Sequence, residues 1–186
     1  MVLRTSLTPL GSASKSPFKI NDIVFEGRPQ PEKGGQNNIQ EIVKFYKNDI
    51  CEIIAVGGGS NSAYGGWSGY EGGSGAAFKG KIKILKTIEI LVQVGAKTDK
   101  NTYPLSKPTF IGDFIIAGGA TGATDNNWDA FAAGVLTINQ VDWAELYGTP
   151  EIQINGQRSA SHQPIAGYNY GQEFYTGYLR IVKTSK

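Results

Sequence analysis

The sequence predicts an all-β fold, an antiparallel β-sandwich-like domain with glycine-rich segments and long loops. Apolar residues alternate with polar ones over residues 81–94, which is the period of a half-buried strand. Short apolar runs of strand length recur along the chain and are separated by turn-forming Gly, Pro and Asn residues. Only residues 139–146, where Asn139 is a suitable cap, indicate a helix.

Length and composition limit the classes of function. The chain has 186 residues, of which 40% are hydrophobic, so we expect one globular domain. Its formal net charge is +2 and its basic residues are dispersed, which argues against nucleic acid and membrane surfaces as partners. The single cysteine, Cys51, lies in an apolar run, so we expect a buried thiol and no intrachain disulfide. We expect neither a signal peptide nor a transmembrane segment.

Residues 1–35 are predicted to form an N-terminal arm, and residues 36–186 a glycine-rich β domain. Prolines and a Gly-Gly pair interrupt the arm too often for long elements. A short strand is predicted over residues 18–25, where apolar side chains recur. An arm of this kind either docks on a partner or crosses the surface of its own domain.

Two strand pairs are predicted in the first half of the domain. Residues 42–46 and 50–56 are β-prone, and the polar trio Lys47-Asn48-Asp49 between them is a good hairpin connector. In residues 81–84 and 88–94, apolar and polar side chains alternate with a period of two. This pattern predicts a pair of strands in an antiparallel sheet that has one apolar face and one face in contact with water.

The second half of the domain is predicted to continue as short strands. One strand is expected over residues 109–116, before the glycine-rich turn at residues 118–122. Further strands are expected over residues 135–138, 151–154 and 178–182.

The most unusual segment is residues 57–80, in which ten of 24 residues are glycine. It lies between two apolar strands, so we interpret it as packed structure and not as a flexible linker. Because glycine has no Cβ, such segments can pack side by side as polyglycine II helices joined by backbone hydrogen bonds. The alternative is that these glycines only form ordinary turns.

Aromatic side chains embedded in the glycine-rich segments are the candidate binding residues. Flat rings beside Asn, Gln and Ser can stack on sugar faces and bond hydroxyl groups. The alternative is that the rings pack on the glycine backbone or at a subunit interface. The candidate ligand-binding residues are Tyr64, Trp67, Tyr70, Trp128, Tyr168, Tyr170 and Tyr175.

The sequence contains no convincing constellation for catalysis, so we expect no enzyme activity, no cofactor and no metal. His162 is the single histidine and lies in a polar loop. Asp125, Asn127 and Asp129 resemble the opening of a calcium loop, but Ala130 stands where the loop needs glycine. The acidic residues that could form a carboxylate pair, with no spacing that selects two of them, are Asp113, Asp125, Asp129, Asp142 and Glu145.

The order of blocks along the chain resembles the glycine-rich domain of bacteriophage tail-fibre and tail-tip proteins. The blocks are IIAVGGG at residues 53–59, the glycine run at 65–75, ILVQVGA at 90–96, TFIGD at 109–113, IAGG at 116–119 and GYLRIV at 177–182. The last glycine block of that family is reduced here to AGYNYG at residues 166–171. A β-sandwich with a small patch of glycine helices is therefore expected, in place of a full polyglycine bundle.

The resemblance implies an adhesin-like component of the phage particle, located in the virion. Its arm would contact other virion proteins, and its aromatic loops would contact a glycan or protein of the bacterial surface. Three alternatives stay open: a structural or decoration protein whose aromatic residues are buried in a homomeric interface, such as a trimer; a free carbohydrate-binding module; or a concealed glycan hydrolase.

Overall fold

The computed structural model describes residues 15–29, 38–59, 64–65, 68–69, 74–96, 107–120, 134–156 and 177–185. The described residues form strands and turns and contain no helix. In chain order the strands are β1 (Ile23–Gly27), β2 (Ile39–Phe45), β3 (Ile50–Val56), β4 (Tyr64–Gly65), β5 (Ser68–Gly69), β6 (Ala77–Ile84), β7 (Ile88–Val94), β8 (Thr109–Ile111), β9 (Ile115–Ala117), β10 (Leu136–Ile138), β11 (Ala144–Leu146), β12 (Ile152–Ile154) and β13 (Tyr178–Ser185).

The strands form two antiparallel sheets that pack face to face. The larger sheet has the order β1-β13-β3-β6, and the short strands β11 and β12 follow one another along the outer edge of β6. The smaller sheet has the order β10-β9-β8-β7-β2. Strands β4 and β5 form a separate two-stranded ribbon. The prediction of an all-β, sandwich-like fold is confirmed.

One hydrophobic core fills the space between the sheets. Alternate residues of each strand point inward, because side chains in a strand change face at every position. The larger sheet contributes Ile53, Phe78, Ile82, Leu179 and Ile181, and the smaller sheet contributes Phe45, Val92, Val94, Ile111 and Ile115. Cys51 also belongs to this core, as expected from its apolar run.

The two predicted strand pairs are wrong, although their strands exist. Strand β2 pairs with β7, whereas β3 pairs with β13 and β6, so residues 46–49 cross between the sheets. Strands β6 and β7 also lie in different sheets, and residues 85–87 make that crossing. The physical reason is burial: consecutive strands bury their apolar faces against each other across the sandwich instead of side by side in one sheet.

The predicted helix over residues 139–146 is also wrong. Its last three residues form β11, in which Ala144 pairs with Ile84 and Leu146 with Ile82. The side chain of Asn139 donates through Nδ2 to the carbonyl oxygen of Asp113, at 2.6 Å, and therefore does not cap a helix. Pairing along the edge of β6 outweighs the weak local preference for helix.

The remaining strand predictions differ from the structure in detail. The predicted strand over residues 109–116 is a hairpin of β8 and β9, because Gly112 turns the chain with a φ of +52°. The strand predicted in the arm lies later, as β1, and pairs with β13 at the edge of the larger sheet. The strands expected near residues 135–138, 151–154 and 178–182 are confirmed as β10, β12 and β13.

Candidate functional site

The strand registers sort the connections into two groups at opposite ends of the sandwich. At one end Tyr178, the first residue of β13, pairs with Val56, the last residue of β3, and Val56 pairs with Ala77, the first residue of β6. The residues that lie just beyond these strand ends and the neighbouring ones form a region that we call the glycine end. They are residues 57–59, 74–76, 95–96, 118–120, 134–135, 155–156 and 177. Residues 18–22, 46–49, 85–87 and 139–143 lie at the opposite end, which we call the crossing end.

Backbone hydrogen bonds join the two sheets at the glycine end. Each bond links a segment that continues the larger sheet to a segment that continues the smaller one, so the bonds run between separate parts of the chain. They are Ala76 N to Gly118 O (2.9 Å), Ala120 N to Gly58 O (3.0 Å), Gly134 N to Ser74 O (3.1 Å), Gly156 N to Gly134 O (2.7 Å) and Gly177 N to Gly95 O (2.9 Å).

Close approach of backbones explains why glycine occupies this end. A Cβ on Gly57 would lie 2.6 Å from the carbonyl oxygen of Ala117 and nearer still to that of Gly118. A Cβ on Gly118 would in turn lie 2.6 Å from the carbonyl oxygen of Val135. Real Cβ atoms do not approach backbone atoms so closely, and neither Gly57 nor Gly118 has a φ in the left-handed region. The glycines are therefore required by contact between backbones and not by a special φ.

The predicted aromatic site residues fall in three segments of the chain. Tyr64 lies in β4, where the structure describes the backbone and not the side chain. Trp67, Tyr70, Trp128, Tyr168, Tyr170 and Tyr175 lie outside the described residues.

The ends of those three segments are described, and all of them lie at the glycine end. Residues 60–73 run between Gly59 and Ser74, and residues 121–133 run between Ala120 and Gly134. Residues 157–176 run between Gly156 and Gly177. The structure thus brings together the attachment points of the three aromatic segments, although the outermost two, Gly59 and Gly177, are 118 residues apart in sequence.

A network of side-chain amides fixes the flanks of another segment at this end. Gln93 accepts hydrogen bonds at Oε1 from Gln40 Nε2 (2.6 Å) and Asn38 Nδ2 (3.3 Å), and it donates through Nε2 to the carbonyl oxygen of Pro108 (2.8 Å). Asn38 also accepts from the backbone N–H of Ala96 (3.1 Å). These bonds hold residues 95–96 and 107–108, between which residues 97–106 lie.

Tyr178 is an aromatic residue beside the glycine end that the sequence did not single out. Its hydroxyl donates to Glu26 Oε1 at 2.6 Å, and the guanidinium carbon of Arg28 lies 5.3 Å from the centre of its ring. Burial, followed by the hydrogen bond to Glu26, raises the pKa of Tyr178 to about 12. The adjacent Gly177, in the GYLRIV block, was the signal that could have identified it.

The acidic candidates that the structure describes are engaged in separate local contacts. Asp113 accepts at Oδ1 from the indole N–H of Trp143, at 3.4 Å. Asp142 pairs with Lys86 at 2.6 Å, and this hydrogen bond lowers the pKa of the Asp142 carboxyl group. Glu145 lies 4.0 Å from Lys83.

The remaining candidates for catalysis or metal binding, Asp125, Asn127, Asp129 and His162, lie outside the described residues. Within the described ranges, no group of three or more His, Cys, Asp and Glu residues is arranged to hold a metal ion.

A buried ion pair lies towards the crossing end, and sequence reasoning missed it. Lys183 is 1% exposed, and its ammonium group lies 2.8 Å from Asp49 Oδ1 and donates to the carbonyl oxygen of Phe18 at 2.9 Å. Lys183 continues the inward phase of Leu179 and Ile181 along β13, and that phase was the signal that could have found it. The neighbouring thiol of Cys51 has its pKa raised to about 12, by burial and then by the charge of Asp49, against the opposing charge of Lys183.

Comparisons with models of protein families, with curated proteins and with solved structures found no match to this chain. In the described part of the chain there is also no helix with the length and apolar character needed to cross a membrane.

Proposed function

We propose that this protein is a non-enzymatic component of a bacteriophage particle, of the tail or head fibre or tip type. In this proposal the glycine end presents the aromatic segments to a glycan or protein of the bacterial surface. The N-terminal arm, which enters the sandwich at the other end of the molecule through residues 18–22, contacts the rest of the virion. The phage context is supported by the order of sequence blocks, and the mode of action by the geometry of the two ends.

The observation that carries the proposal is the placement of residues 18–22, where the arm enters the sandwich, at the end opposite to the aromatic segments. From there β1 runs back towards the glycine end, where Gly27 pairs with Leu179. The arm enters at the crossing end, where Asn21 N donates to the carbonyl oxygen of Lys183 at 2.7 Å and Phe18 contacts the Lys183 ammonium group. The three aromatic segments start and finish at the glycine end. A protein attached through its arm would therefore direct these segments away from the particle.

The glycine end suits the presentation of variable loops because it needs few side chains. Backbone hydrogen bonds and carbonyl contacts hold its segments, so substitutions in the loops do not alter the support beneath them. Ordering glycine costs more conformational entropy than ordering any other residue, and the bonds between the two sheets offset that cost. Loops rich in Tyr, Ser, Gly and Asn on a fixed support are typical of adaptable binding surfaces.

The proposal is tested by measuring binding of the purified, labelled protein to a glycan array and to intact bacterial cells. We expect binding to a restricted set of glycans or strains. Trp67→Ala and Tyr170→Ala should each weaken it by tenfold or more, since a stacked aromatic residue contributes about 1–3 kcal/mol to such contacts. Tyr147→Ala is the matched control, because Tyr147 is an exposed aromatic residue beside β11, away from the glycine end.

One outcome would overturn the receptor-binding role, and another would overturn the part that the aromatic segments have in it. One is the absence of binding on arrays and cells together with no effect of the added protein on phage adsorption. The other is equal binding by the wild type and both loop variants with a loss in Tyr147→Ala. Genes for tail or capsid proteins on either side of the coding sequence would support the virion context, and their absence would weaken it.

A further inference from the structure

The outer face of the smaller sheet carries an apolar patch that the core does not use. Ile42 and Leu91 face each other across β2 and β7 and are 67% and 43% exposed. Phe110 and Ile116, which pair across β8 and β9, are half-buried on the same face. The patch thus extends over β2, β7, β8 and β9, and we call these four residues the outer patch.

Polar groups around the outer patch are already paired within the chain. Gln40 and Gln93 lie in the next row along β2 and β7 and bond to each other. The row on the other side holds Lys44 and Glu89, whose charged groups lie 3.6 Å apart. Gln93 also pairs with Phe110, so the amides lie between the apolar residues of the outer patch, and the ion pair lies at its rim. The outer patch is therefore an uncharged surface whose polar groups are already paired, which is compatible with a protein–protein interface.

The outer face of the larger sheet is mixed and serves as an internal comparison. It carries Lys79, Lys81, Arg180, Glu26 and Glu52, as expected of a sheet face in contact with water, and also an apolar cluster of Val56, Ala77 and Ile152 against which Ile54 and Tyr178 pack. The two outer faces thus differ in charge, since several charged side chains lie on the larger sheet and one ion pair lies at the rim of the outer patch.

Charge decides which occupant fits the outer patch. A nucleic acid or an anionic lipid surface requires a net positive surface, and the outer patch with its rim carries one cation and one anion. A second copy of this chain presents the same neutral apolar surface and the same ion pair, so two such faces approach without repulsion between like charges. Symmetric association through one self-complementary patch is also the commonest form of oligomer.

The area of the outer face of the smaller sheet limits the expected strength of association. Five strands spaced about 4.8 Å apart, with two of about 23 Å in length and three shorter ones, present roughly 400 Å². A standard stable interface buries about 800 Å² on each partner. The sheet face alone accounts for about half of this area, so the contact should be weak and dependent on concentration.

We infer that the outer patch is the interface of a weak, symmetric dimer of this chain. The dimer forms through the smaller sheet and leaves the glycine end and the arm free. Association and receptor binding are therefore separate properties on separate surfaces, and each can be lost without the other.

Sedimentation velocity of the full chain from low to high micromolar concentration tests the inference. We expect a monomer–dimer equilibrium in the wild type. Ile42→Glu should weaken the dimer by at least tenfold, because it places two like charges in the apolar centre of the contact. Ile154→Glu is the matched control: Ile154, in β12 of the larger sheet, is 41% exposed, and its substitution should leave the dimer unchanged.

Ile42→Thr keeps a β-branched residue in the strand and provides a second variant that retains the fold, with a smaller loss of dimer. A wild type that stays monomeric at all concentrations would overturn the inference, whether a segment of the same chain or another protein covers the patch. An oligomer that persists in Ile42→Glu would also overturn it, since the contact would then lie elsewhere. Neither outcome would affect the glycan and cell-binding test of the proposed function.

Discussion

The two ends of this sandwich are held together by different chemistry. At the crossing end large side chains fill the space between the sheets: the ring of Trp143 lies 5.9 Å from that of Phe45 and 5.6 Å from that of Phe114. At the glycine end backbones contact backbones, and hydrogen bonds such as Ala76 N to Gly118 O replace side-chain packing.

This difference follows from how the chain passes between the sheets. At the crossing end the short connections 46–49, 85–87 and 139–143 run from one sheet to the other, so the chain itself closes the sandwich there. At the glycine end, most connections return to the sheet that they left, and only the segment between β1 and β2 changes sheet. Hydrogen bonds between glycine segments therefore join the sheets where few covalent crossings do.

Removing the central aromatic ring of the crossing end should have the largest effect. Trp143→Ala is expected to lower the free energy of unfolding by about 4 kcal/mol, because it removes a buried ring that contacts Phe45 and Phe114. Urea unfolding measures the change. Tyr147→Ala, at an exposed aromatic four residues later, should change it by less than about 0.5 kcal/mol. Equal effects of the two variants would show that aromatic packing does not hold this end.

Breaking the buried ion pair tests whether a charge interaction also stabilises the crossing end. Asp49→Ala leaves the Lys183 ammonium group buried with the Phe18 carbonyl oxygen as its remaining described partner, and should cost about 3 kcal/mol. The double variant Asp49→Leu/Lys183→Met removes both charges and should recover most of this loss in the same urea experiment. A double variant as unstable as the single one would contradict the assignment of the loss to an unpaired charge.

Adding one methyl group at the glycine end should lower the free energy of unfolding by a smaller amount. This change tests the close contact between backbones alone. Gly57→Ala is expected to cost about 2–3 kcal/mol, since the new Cβ would press on the carbonyl groups of Ala117 and Gly118. Gly148→Ala is the control: its φ is +80° and nothing lies within 4 Å of an added Cβ, so only conformational strain of about 1 kcal/mol applies. If Gly148→Ala proved the costlier change, close backbone approach would not explain the glycines.

The smallest expected effect is a pH dependence of the free energy of unfolding, which measures how well the core near the crossing end excludes water. The pKa of Cys51 rises from 9.0 to about 12 on folding, so the unfolded chain binds fewer protons than the folded one between those pH values. The contribution of the thiol to stability is complete below pH 9 and is lost as the pH rises towards 12.

Comparison of the wild type with Cys51→Ala at pH 8 and pH 10 isolates this contribution. The wild type should lose about 1 kcal/mol more than the variant over this interval, as measured by urea unfolding. Tyr178 is present in both proteins, so its titration cancels. An identical pH dependence of the two would mean that water reaches the thiol in the folded state.

Much of the fold could be predicted from local patterns. Alternation identified the strands around residues 81–94, and the apolar run around Cys51 identified a buried strand, because burial of one face leaves a period of two in the sequence. The glycine-rich stretch after Val56 was correctly expected to belong to packed structure at residues 57–59 and 74–80. The polyglycine II conformation itself stays a prediction.

The candidate site was predictable only in part. The aromatic segments were found by composition, since rings among glycines are unusual, yet the shared position of their attachment points could not be deduced. Gly95, Gly118 and Gly134 are isolated or paired glycines that look like ordinary turns in sequence. Only their hydrogen bonds and contacts with distant segments give them a common role.

The outer patch was also predictable only in part, through one residue, Leu91. Leu91 occupies a polar phase of the alternating run and could be recognised from sequence as an apolar residue on the wet face. Only the pairing of four strands places Ile42 opposite Leu91 and brings Phe110 and Ile116 next to them.

The sequence by itself determined the strand type, the buried faces and the need for close backbone packing after β3, because these depend on side chains within a few residues. The tertiary structure alone decided that β2 and β3, and likewise β6 and β7, lie in different sheets, and that Ala144–Leu146 is a strand. It also decided that residues 18–22 of the arm and the attachment points of the aromatic segments lie at opposite ends. These outcomes depend on contacts between residues far apart in the chain, and local periodicity carries no information about the partner of a strand.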